Sequence, residues 1–286
     1  MRERPAMKTL ATAILLPLAM FAQPARTPRS AAPVDLTGYW VSIVTEDWRS
    51  RMLTAPKGDY YSLPINAEAR RIALAYTPTQ TDACKNYGAA TIMRMPTRIH
   101  VTWDNDTTLR VETDAGKQTR IFHFASSFAT PTYSAATTSP ASASNAPRTL
   151  QGVSVAEWQT PQSTRTYWQK VPAQDSNTPG FPGINMQGPP PPPDPRNLGG
   201  TLKVRTTRIL PGFLRNNGVP HSGDAIVTEY WDLHKEKNGD QWIVVTSIVE
   251  DPVYLDAPWV TTWQFRHEPD ASQWDPQPCE LILPNR

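Results

Sequence analysis

Short segments in which apolar and polar residues alternate constrain this chain to a β fold. Alternation with a period of two places one side of a strand on a core. The 30 prolines favour loops and strand edges over long helices. One short helix is predicted at Asn66–Tyr76, with Asn66 as its N-cap. The predicted strands are Thr37–Val44, Arg98–Trp103, Thr107–Thr113, Gln118–Phe124, Gly152–Trp158, Thr164–Gln169, Thr201–Ile209, Ala225–His234, Gln241–Glu250 and Val260–Arg266.

The first residues have the pattern of a secretory signal peptide. Arg2 and Arg4 precede the apolar run Leu10–Phe21, which is too short to span a membrane, and Ala22 is a suitable cleavage residue. We therefore expect residues 1–22 to be removed on export and the mature protein to be periplasmic or secreted.

Composition divides the rest of the chain into a linker and one domain. Residues 23–34, rich in Pro and Ala, are predicted to be a flexible linker, and residues 35–286 have the length of a single β domain. Two insertions interrupt its strands. The first, near residues 125–149, is rich in Ala, Ser, Thr and Pro, and the second, near 171–200, contains the polyproline stretch GPPPPPDP. Both are predicted to be long surface loops.

Charge and motifs argue against several functional classes. Removal of residues 1–22, which hold three basic side chains and one acidic one, leaves basic and acidic residues balanced and interspersed, so no nucleic-acid partner is predicted. The sequence has no Gly-rich phosphate loop, no HExxH pair and no acidic calcium loop, so no cofactor and no metal are predicted. No segment after the signal peptide is apolar enough to predict an integral membrane span. The oligomeric state stays open.

The two cysteines, Cys84 and Cys279, are predicted to form a disulfide. Export places them in an oxidising compartment, and neither has a His or Cys at metal-ligand spacing. The bond is expected to hold the C-terminal tail against the segment that follows the helix.

The hairpin Ala225–Pro252 is the strongest candidate for a site. Its Asn238-Gly239 pair is typical of a two-residue type I′ turn. That turn places Glu229 and Glu250 as diagonal neighbours on one largely apolar face. Two buried carboxylates cannot both stay ionised unaided, so either an Arg joins them or one pKa is raised, as in general acid–base catalysis. The alternative is that this face points to solvent and the hairpin is only scaffold.

The other candidates lie near this hairpin in the sequence. His221 is in the loop that enters it, and Asp251 directly follows its second strand. Arg205 and Arg208 belong to the preceding strand and are the candidate counter-ions. The predicted catalytic residues are therefore Glu229, Glu250 and His221, and the predicted ligand-binding residues are Arg205, Arg208, Trp231 and Asp251.

Two other polar features are interpreted as surface. In the first meander Val101 is expected opposite Leu109, which places His100 on the outer face, and His123 lies on that face of the next strand. Both are interpreted as exposed strand residues rather than catalytic bases. The segment TEDWRSR, Thr45–Arg51, is interpreted as a salt-bridged rim.

The stretch DLTGYW, Asp35–Trp40, is similar to the Gly-x-Trp signature in the first strand of lipocalins and related calycin barrels. In that family the Trp closes one end of the barrel, and an Arg from the last strand often stacks on it. The resemblance implies a lipocalin-like antiparallel barrel. The strand pattern itself predicts about eight to ten strands, one short helix and long Pro-rich loops, and this strand number and the insertions depart from the lipocalin pattern. The resemblance also implies that Trp40 is buried at the barrel base with Arg266 against its ring.

A second resemblance is more extensive. The blocks RMPTRIHVTWDNDTTLRVETDAGK, GVSVAEW, GGTLKVRTT, GVPHSGDAIVTEY and EDPVYLDAPW resemble, in order and spacing, a group of exported bacterial proteins of unknown function. The likeness runs from Arg94 to about Trp259 and implies no activity and no catalytic residue.

Three functions follow from these features. The preferred one is extracytoplasmic binding of a small, partly apolar molecule in a calycin-like barrel. The second is a lyase, isomerase or hydrolase that uses Glu229 and Glu250 with His221. The third is a structural or interaction protein of the cell envelope. An apolar cavity with few titratable groups would favour the first, converging carboxylates the second, and an interior filled by side chains the third.

Overall fold

A closed β-barrel forms the body of the protein in the computed structural model, which describes residues 26–124, 146–159 and 200–281. Within these ranges nine strands make up the barrel, and two short strands form a separate antiparallel pair. The barrel strands are β1 (Gly38–Ile43), β2 (Arg98–Asn105), β3 (Thr108–Thr113), β4 (Gln118–Phe124), β5 (Val153–Gln159), β6 (Thr201–Thr207), β9 (Ile226–Lys235), β10 (Gln241–Glu250) and β11 (Trp259–Glu268). The separate pair is β7 (Gly212–Arg215) with β8 (Val219–His221), and the α-helices are α1 (Trp48–Met52) and α2 (Ala67–Ala75).

The predicted mostly β barrel is confirmed. Each barrel strand corresponds to a predicted one, while the predicted strand Thr164–Gln169 lies outside the described residues, as do residues 1–22 and most of both insertions. The strands run around the barrel in the order β1, β11, β10, β9, β6, β5, β4, β3, β2. All neighbours are antiparallel except β4 and β5, which are parallel. The insertion near 125–149 belongs to the connection between these two strands, where a parallel pair requires a crossover.

Large side chains fill the barrel interior. Trp40, Trp231, Phe122 and Phe265 are fully buried there, each on the inward side of its strand. A second apolar cluster covers the barrel end where β9 begins and β10 ends. It is formed by Tyr60, Leu63, Ile65, Ala69, Ala73, Ala89, Ala90, Ile209, Leu214, Val219, Ala225, Val227, Val249, Leu255 and Trp259.

Trp40 is buried inside the barrel, as predicted. It is 1% exposed, and its indole N–H donates to Leu36 O at 3.0 Å. The prediction that Arg266 lies against its ring is wrong. Trp40 pairs directly with His267, whose ring meets it edge-on at 4.8 Å, so Arg266 falls on the outer face of β11 and is exposed.

The predicted helix is confirmed as α2. The Asn66 side chain accepts a hydrogen bond from Ala69 N at 2.9 Å and donates to Val253 O at 2.8 Å, so one residue both caps the helix and ties it to the turn after β10. The short elements α1, β7 and β8 were not predicted, because none is long enough to show a period.

The register of β2 on β3 differs from the prediction by two residues. A bulge between Trp103 and Asn105 places Val101 opposite Val111. Because a shift of two leaves every side chain on its predicted face, Val101 is buried and His100 lies outside, 3.3 Å from Glu112.

Two long-range ties hold the ends of the described chain. Cys84 and Cys279 form the predicted disulfide, with Cα atoms 5.1 Å apart. At the other end Trp158 donates its indole N–H to Pro28 O at 2.9 Å, so part of the segment assigned to a linker lies on the barrel. None of the helices in the described ranges has the length and apolar character needed to cross a membrane.

Candidate functional site

The β9–β10 hairpin contradicts the predicted pairing of its glutamates. Lys235 pairs with Gln241, and residues 236–240 form the connection, in place of a two-residue turn at Asn238-Gly239. The register is thereby shifted by one residue, which turns all of β10 over. Glu229 faces the barrel interior opposite Ser247, whereas Glu250 is exposed on the outer face. The prediction that the two share a face was wrong.

The partner of Glu229 is an arginine from β4. Arg120 donates from Nη1 to Glu229 Oε1 at 2.9 Å and from Nη2 to Oε2 at 2.5 Å. Its Nη2 also lies 3.4 Å from Thr206 Oγ1, which is 2.8 Å from Ser154 Oγ. The two charged side chains are 0% and 1% exposed. A buried bidentate ion pair satisfies Glu229 without a second carboxylate, so the arrangement proposed for acid–base chemistry is not formed.

The predicted counter-ions lie elsewhere. Arg205 is on the outer face of β6, since Val204 and Thr206 point inward. Arg208 follows that strand with a left-handed backbone, φ 59°, and donates from Nε to Ala146 O at 2.8 Å. Trp231 is inside the barrel, edge-on to Phe122 at 5.6 Å. These three side chains therefore do not converge on one site.

His221 and Asp251 organise a buried turn at the covered end of the barrel. Asp251 accepts from Ser222 N at 2.6 Å, from Ser222 Oγ at 2.8 Å and from Val253 N at 2.9 Å. His221 is 2% exposed, and its Nδ1 lies 3.1 Å from Ser222 O. Burial lowers the pKa of His221, so the ring is neutral near neutral pH. Among the described residues, no hydrogen bond joins either side chain to Glu229.

A cleft of about 380 Å³ opens at the barrel rim, and none of these residues lines it. Three segments line it: the loop and helix start after β1, the turn before α2, and the beginning of β11. Trp48, Val260 and Tyr61 are 58%, 57% and 49% exposed, which is unusual for side chains of their size. The lining residues are Glu46, Asp47, Trp48, Arg49, Tyr61, Ser62, Trp259, Val260, Thr261 and Trp263.

Asp47 is the polar centre of the cleft wall. Its carboxylate accepts from Tyr61 Oη at 2.6 Å, from Ser50 Oγ at 2.9 Å and from Arg94 Nη2 at 3.0 Å. Asp47 and Ser62 both have left-handed backbones, with φ of 50° and 60°. Such conformations are uncommon outside glycine and concentrate at functional sites.

Three buried arginines lie behind the cleft wall. Arg51, Arg94 and Arg215 are 4%, 3% and 2% exposed. Arg94 and Arg215 share Asp47, at 3.0 and 3.4 Å. Arg51 instead donates to Arg94 O at 2.7 Å and to Ser42 Oγ at 2.8 Å. We call these three side chains the arginine cluster.

The cluster shifts the protonation equilibria around the cleft. Burial by itself raises the pKa of Asp47, but the Tyr61 hydrogen bond and the charges of Arg215 and Arg94 outweigh burial and hold that pKa below its usual range. Burial and the charge of Arg94 lower the pKa of Arg51 to about 10. The Arg51 guanidinium therefore stays charged at neutral pH, and Asp47 is the carboxylate that pairs with its two neighbours Arg94 and Arg215.

Sequence reasoning missed the cluster. It interpreted Thr45–Arg51 as a salt-bridged rim, and Asp47 does form ion pairs, but with arginines far away in the chain. One signal was present: Arg94 lies between Met93 and Met95, and Arg215 follows Leu214, so each charged residue stands in an apolar context. An arginine in such a context is expected to be buried in an ion pair, but the sequence does not show which acidic residue is its partner.

The fold and the cleft define a disulfide-bonded, closed β-barrel with an aromatic cleft at its rim. Comparisons with protein-family models, with curated proteins and with solved structures found no match for this chain. No group of His, Cys, Asp and Glu side chains suited to a metal ion occurs in the described ranges. The geometry of the site is therefore the basis for its function.

Proposed function

We propose that this protein is an extracytoplasmic binder of a small, partly apolar molecule, which it holds in the rim cleft. The observation that carries the proposal is the aromatic lining of the cleft, with Trp48 and Tyr61 half-exposed at its mouth. The volume of about 380 Å³ is within the range of ligand pockets. The signal-like N-terminus and the Cys84–Cys279 disulfide support a location outside the cytoplasm.

The rim cleft replaces the barrel interior as the proposed site. The inward side chains are large and packed: Trp231 and Phe122 meet edge-on, and Arg120 and Glu229 occupy the next layer. Ligand entry there would require the ion pair to open, which is costly for buried charges. The rim cleft needs no such rearrangement.

A structural or interaction protein of the cell envelope is the second candidate. It is supported by the filled barrel interior and by Met52 and Leu53, which are 58% and 49% exposed beside the cleft. Exposed apolar side chains in one area are typical of surfaces that meet a larger partner. Glu229 and Glu250 lie on opposite faces of the barrel wall, so the paired carboxylates on which an enzyme with His221 would depend are not formed.

Titration with N-phenylnaphthylamine, a neutral aromatic fluorophore, tests the binding proposal. We expect saturable binding at one site, weakened about tenfold by Trp48→Ala, since loss of a stacked aromatic ring removes roughly 1 kcal/mol or more. Leu74→Ala is the matched control, because Leu74 is 50% exposed on α2, outside the cleft lining. Absence of saturable binding, or equal affinity in Trp48→Ala and the wild type, would reject the rim cleft and favour the interaction protein.

A further inference from the structure

Each member of the arginine cluster contacts a residue that lines the cleft. The Arg51 guanidinium lies 4.9 Å from the centre of the Trp263 ring, and that of Arg215 lies 4.7 Å from the centre of the Tyr61 ring. Arg94 pairs with Asp47 at 3.0 Å. The cluster therefore forms the layer directly behind the cleft wall.

The cluster is short of negative charge. Asp47 is the one carboxylate with which these guanidiniums form ion pairs among the described residues. Glu46 and Arg49 also line the cleft, with opposite charges. The Glu46 carboxylate accepts from Thr262 Oγ1 at 2.5 Å at the edge of β11, and it raises the pKa of Arg51 by its charge without forming an ion pair with the cluster.

Several buried N–H groups of the cluster are also unsatisfied. Arg51 Nη1, Arg94 Nε, and Arg215 Nε and Nη1 have no hydrogen-bond partner within the described part of the chain. Buried guanidiniums that are only partly paired are costly, and such groups concentrate at functional sites. Because the three guanidiniums are buried, their charge is screened less than that of surface arginines.

We propose that the molecule bound in the rim cleft is an anion, with a carboxylate, sulfonate or phosphate group on an aromatic or apolar body. The body lies against Trp48 and Tyr61, and the anionic group faces the arginine cluster. This inference rests on the proposed function and adds the charge of the ligand to it. Guanidinium groups are the common recognition element for planar and tetrahedral anions in proteins.

A pair of fluorophores tests the charge directly. Anilinonaphthalene sulfonate has the ring system of N-phenylnaphthylamine with one added sulfonate. We expect wild-type protein to bind the sulfonate at least tenfold more tightly than the neutral compound, and Trp48→Ala to weaken both. Equal affinities, or a preference for the neutral compound, would overturn the anion inference and leave the proposed function intact. Binding of neither compound would instead reject the proposed function.

Exposed Val260 offers a matched pair of variants that should not disturb folding. Val260→Asp adds a negative charge to the cleft lining, and Val260→Asn adds a side chain of similar size without charge. We expect Val260→Asp to weaken sulfonate binding about tenfold relative to Val260→Asn, with little difference for the neutral compound. An equal effect of both variants on both compounds would contradict the inference.

Variants of Arg215 test whether the arginine cluster causes the preference for the sulfonate over the neutral compound. Arg215→Gln is expected to abolish most of the preference for the sulfonate, whereas Arg215→Lys is expected to keep most of it, because the charge is retained. Thermal unfolding establishes that each variant is folded before titration. If Arg215→Gln fails to fold, the Val260 pair decides. An unchanged preference in folded Arg215→Gln protein would overturn the role of the cluster.

Discussion

Arg120 of β4 and Glu229 of β9 form a bidentate ion pair inside the barrel, although β5 and β6 separate their strands in the sheet. The pair therefore links parts of the barrel that backbone hydrogen bonds do not connect directly. Both side chains are excluded from solvent, so each depends on the other for its counter-charge.

Glu229→Gln should lower the free energy of unfolding by about 3–5 kcal/mol, because it leaves the Arg120 charge buried without compensation. Glu250→Gln is the matched control. Glu250 is exposed on the outer face, and its replacement should change stability by less than about 0.5 kcal/mol. Urea denaturation measures both values. Equal losses in the two variants would contradict the inward placement of Glu229.

The positions of Glu229 and Glu250 show how much of the candidate site could be predicted from the sequence. Alternation in β9 correctly places Glu229 on the same face as Trp231, but it left open whether that face points inward, where the structure has it. The face of Glu250, however, depends on the length of the turn at residues 236–240, and an error of one residue there reverses a whole strand. The sequence could in principle have indicated that Arg120 is buried and available to pair with Glu229, because alternation places Arg120 on the same face of β4 as Phe122.

Tryptophan substitutions should distinguish the buried barrel interior from the exposed rim by their effect on stability. Trp40→Ala is expected to lower the free energy of unfolding by about 3–5 kcal/mol, since it leaves a large cavity in packed surroundings. Trp48→Ala, at a residue that is 58% exposed, should cost far less. Chemical denaturation of both variants measures the difference. Near-wild-type stability of Trp40→Ala would contradict the buried position of its ring.

The Cys84–Cys279 disulfide should make a large contribution to stability. It joins residues 195 apart in sequence, and its loss should cost about 2–5 kcal/mol, because the unfolded chain gains conformational freedom. The measurement compares unfolding of the oxidised protein with that of the Cys84→Ser, Cys279→Ser double variant. Peptide mapping under non-reducing conditions is the control, and two free thiols in freshly isolated protein would contradict the bond.

Acid should destabilise the protein in part through His221. Burial lowers its pKa in the folded state, so below the ordinary value of about 6.5 the unfolded chain binds a proton that the folded chain does not. The contribution of His221 to stability is therefore present above about pH 6.5 and is lost as the pH falls through that value toward the lower folded pKa.

His221→Asn retains a donor for Ser222 O and removes the titration. The variant should lose less stability than wild type between about pH 7 and pH 5, as measured by thermal unfolding across that range. His123→Asn, at an exposed residue, serves as the control and should follow the wild-type profile. If the stability of His221→Asn and of the wild type depends on pH in the same way, the imidazole of His221 is not held neutral by burial in the folded protein.

The rim cleft was beyond prediction for a physical reason. Asp47, Arg94 and Arg215 come from three separate segments, and only the closed barrel brings them together. Local alternation predicts which strands exist, but not which loops meet at a barrel end. The parallel pairing of β4 with β5 could not be predicted for the same reason. It depends on how the chain crosses between the two strands and not on the residues within them.

Indole N–H resonances test most directly where the protein binds a ligand. Each of the ten tryptophans carries one such group, and heteronuclear NMR during titration with anilinonaphthalene sulfonate follows them separately once single Trp→Phe variants have assigned them. Binding in the rim cleft predicts saturable shifts of Trp48 and Trp259, with Trp40 and Trp231 in the barrel interior unchanged. Shifts confined to Trp40 and Trp231, or no saturable shift at any indole, would contradict it.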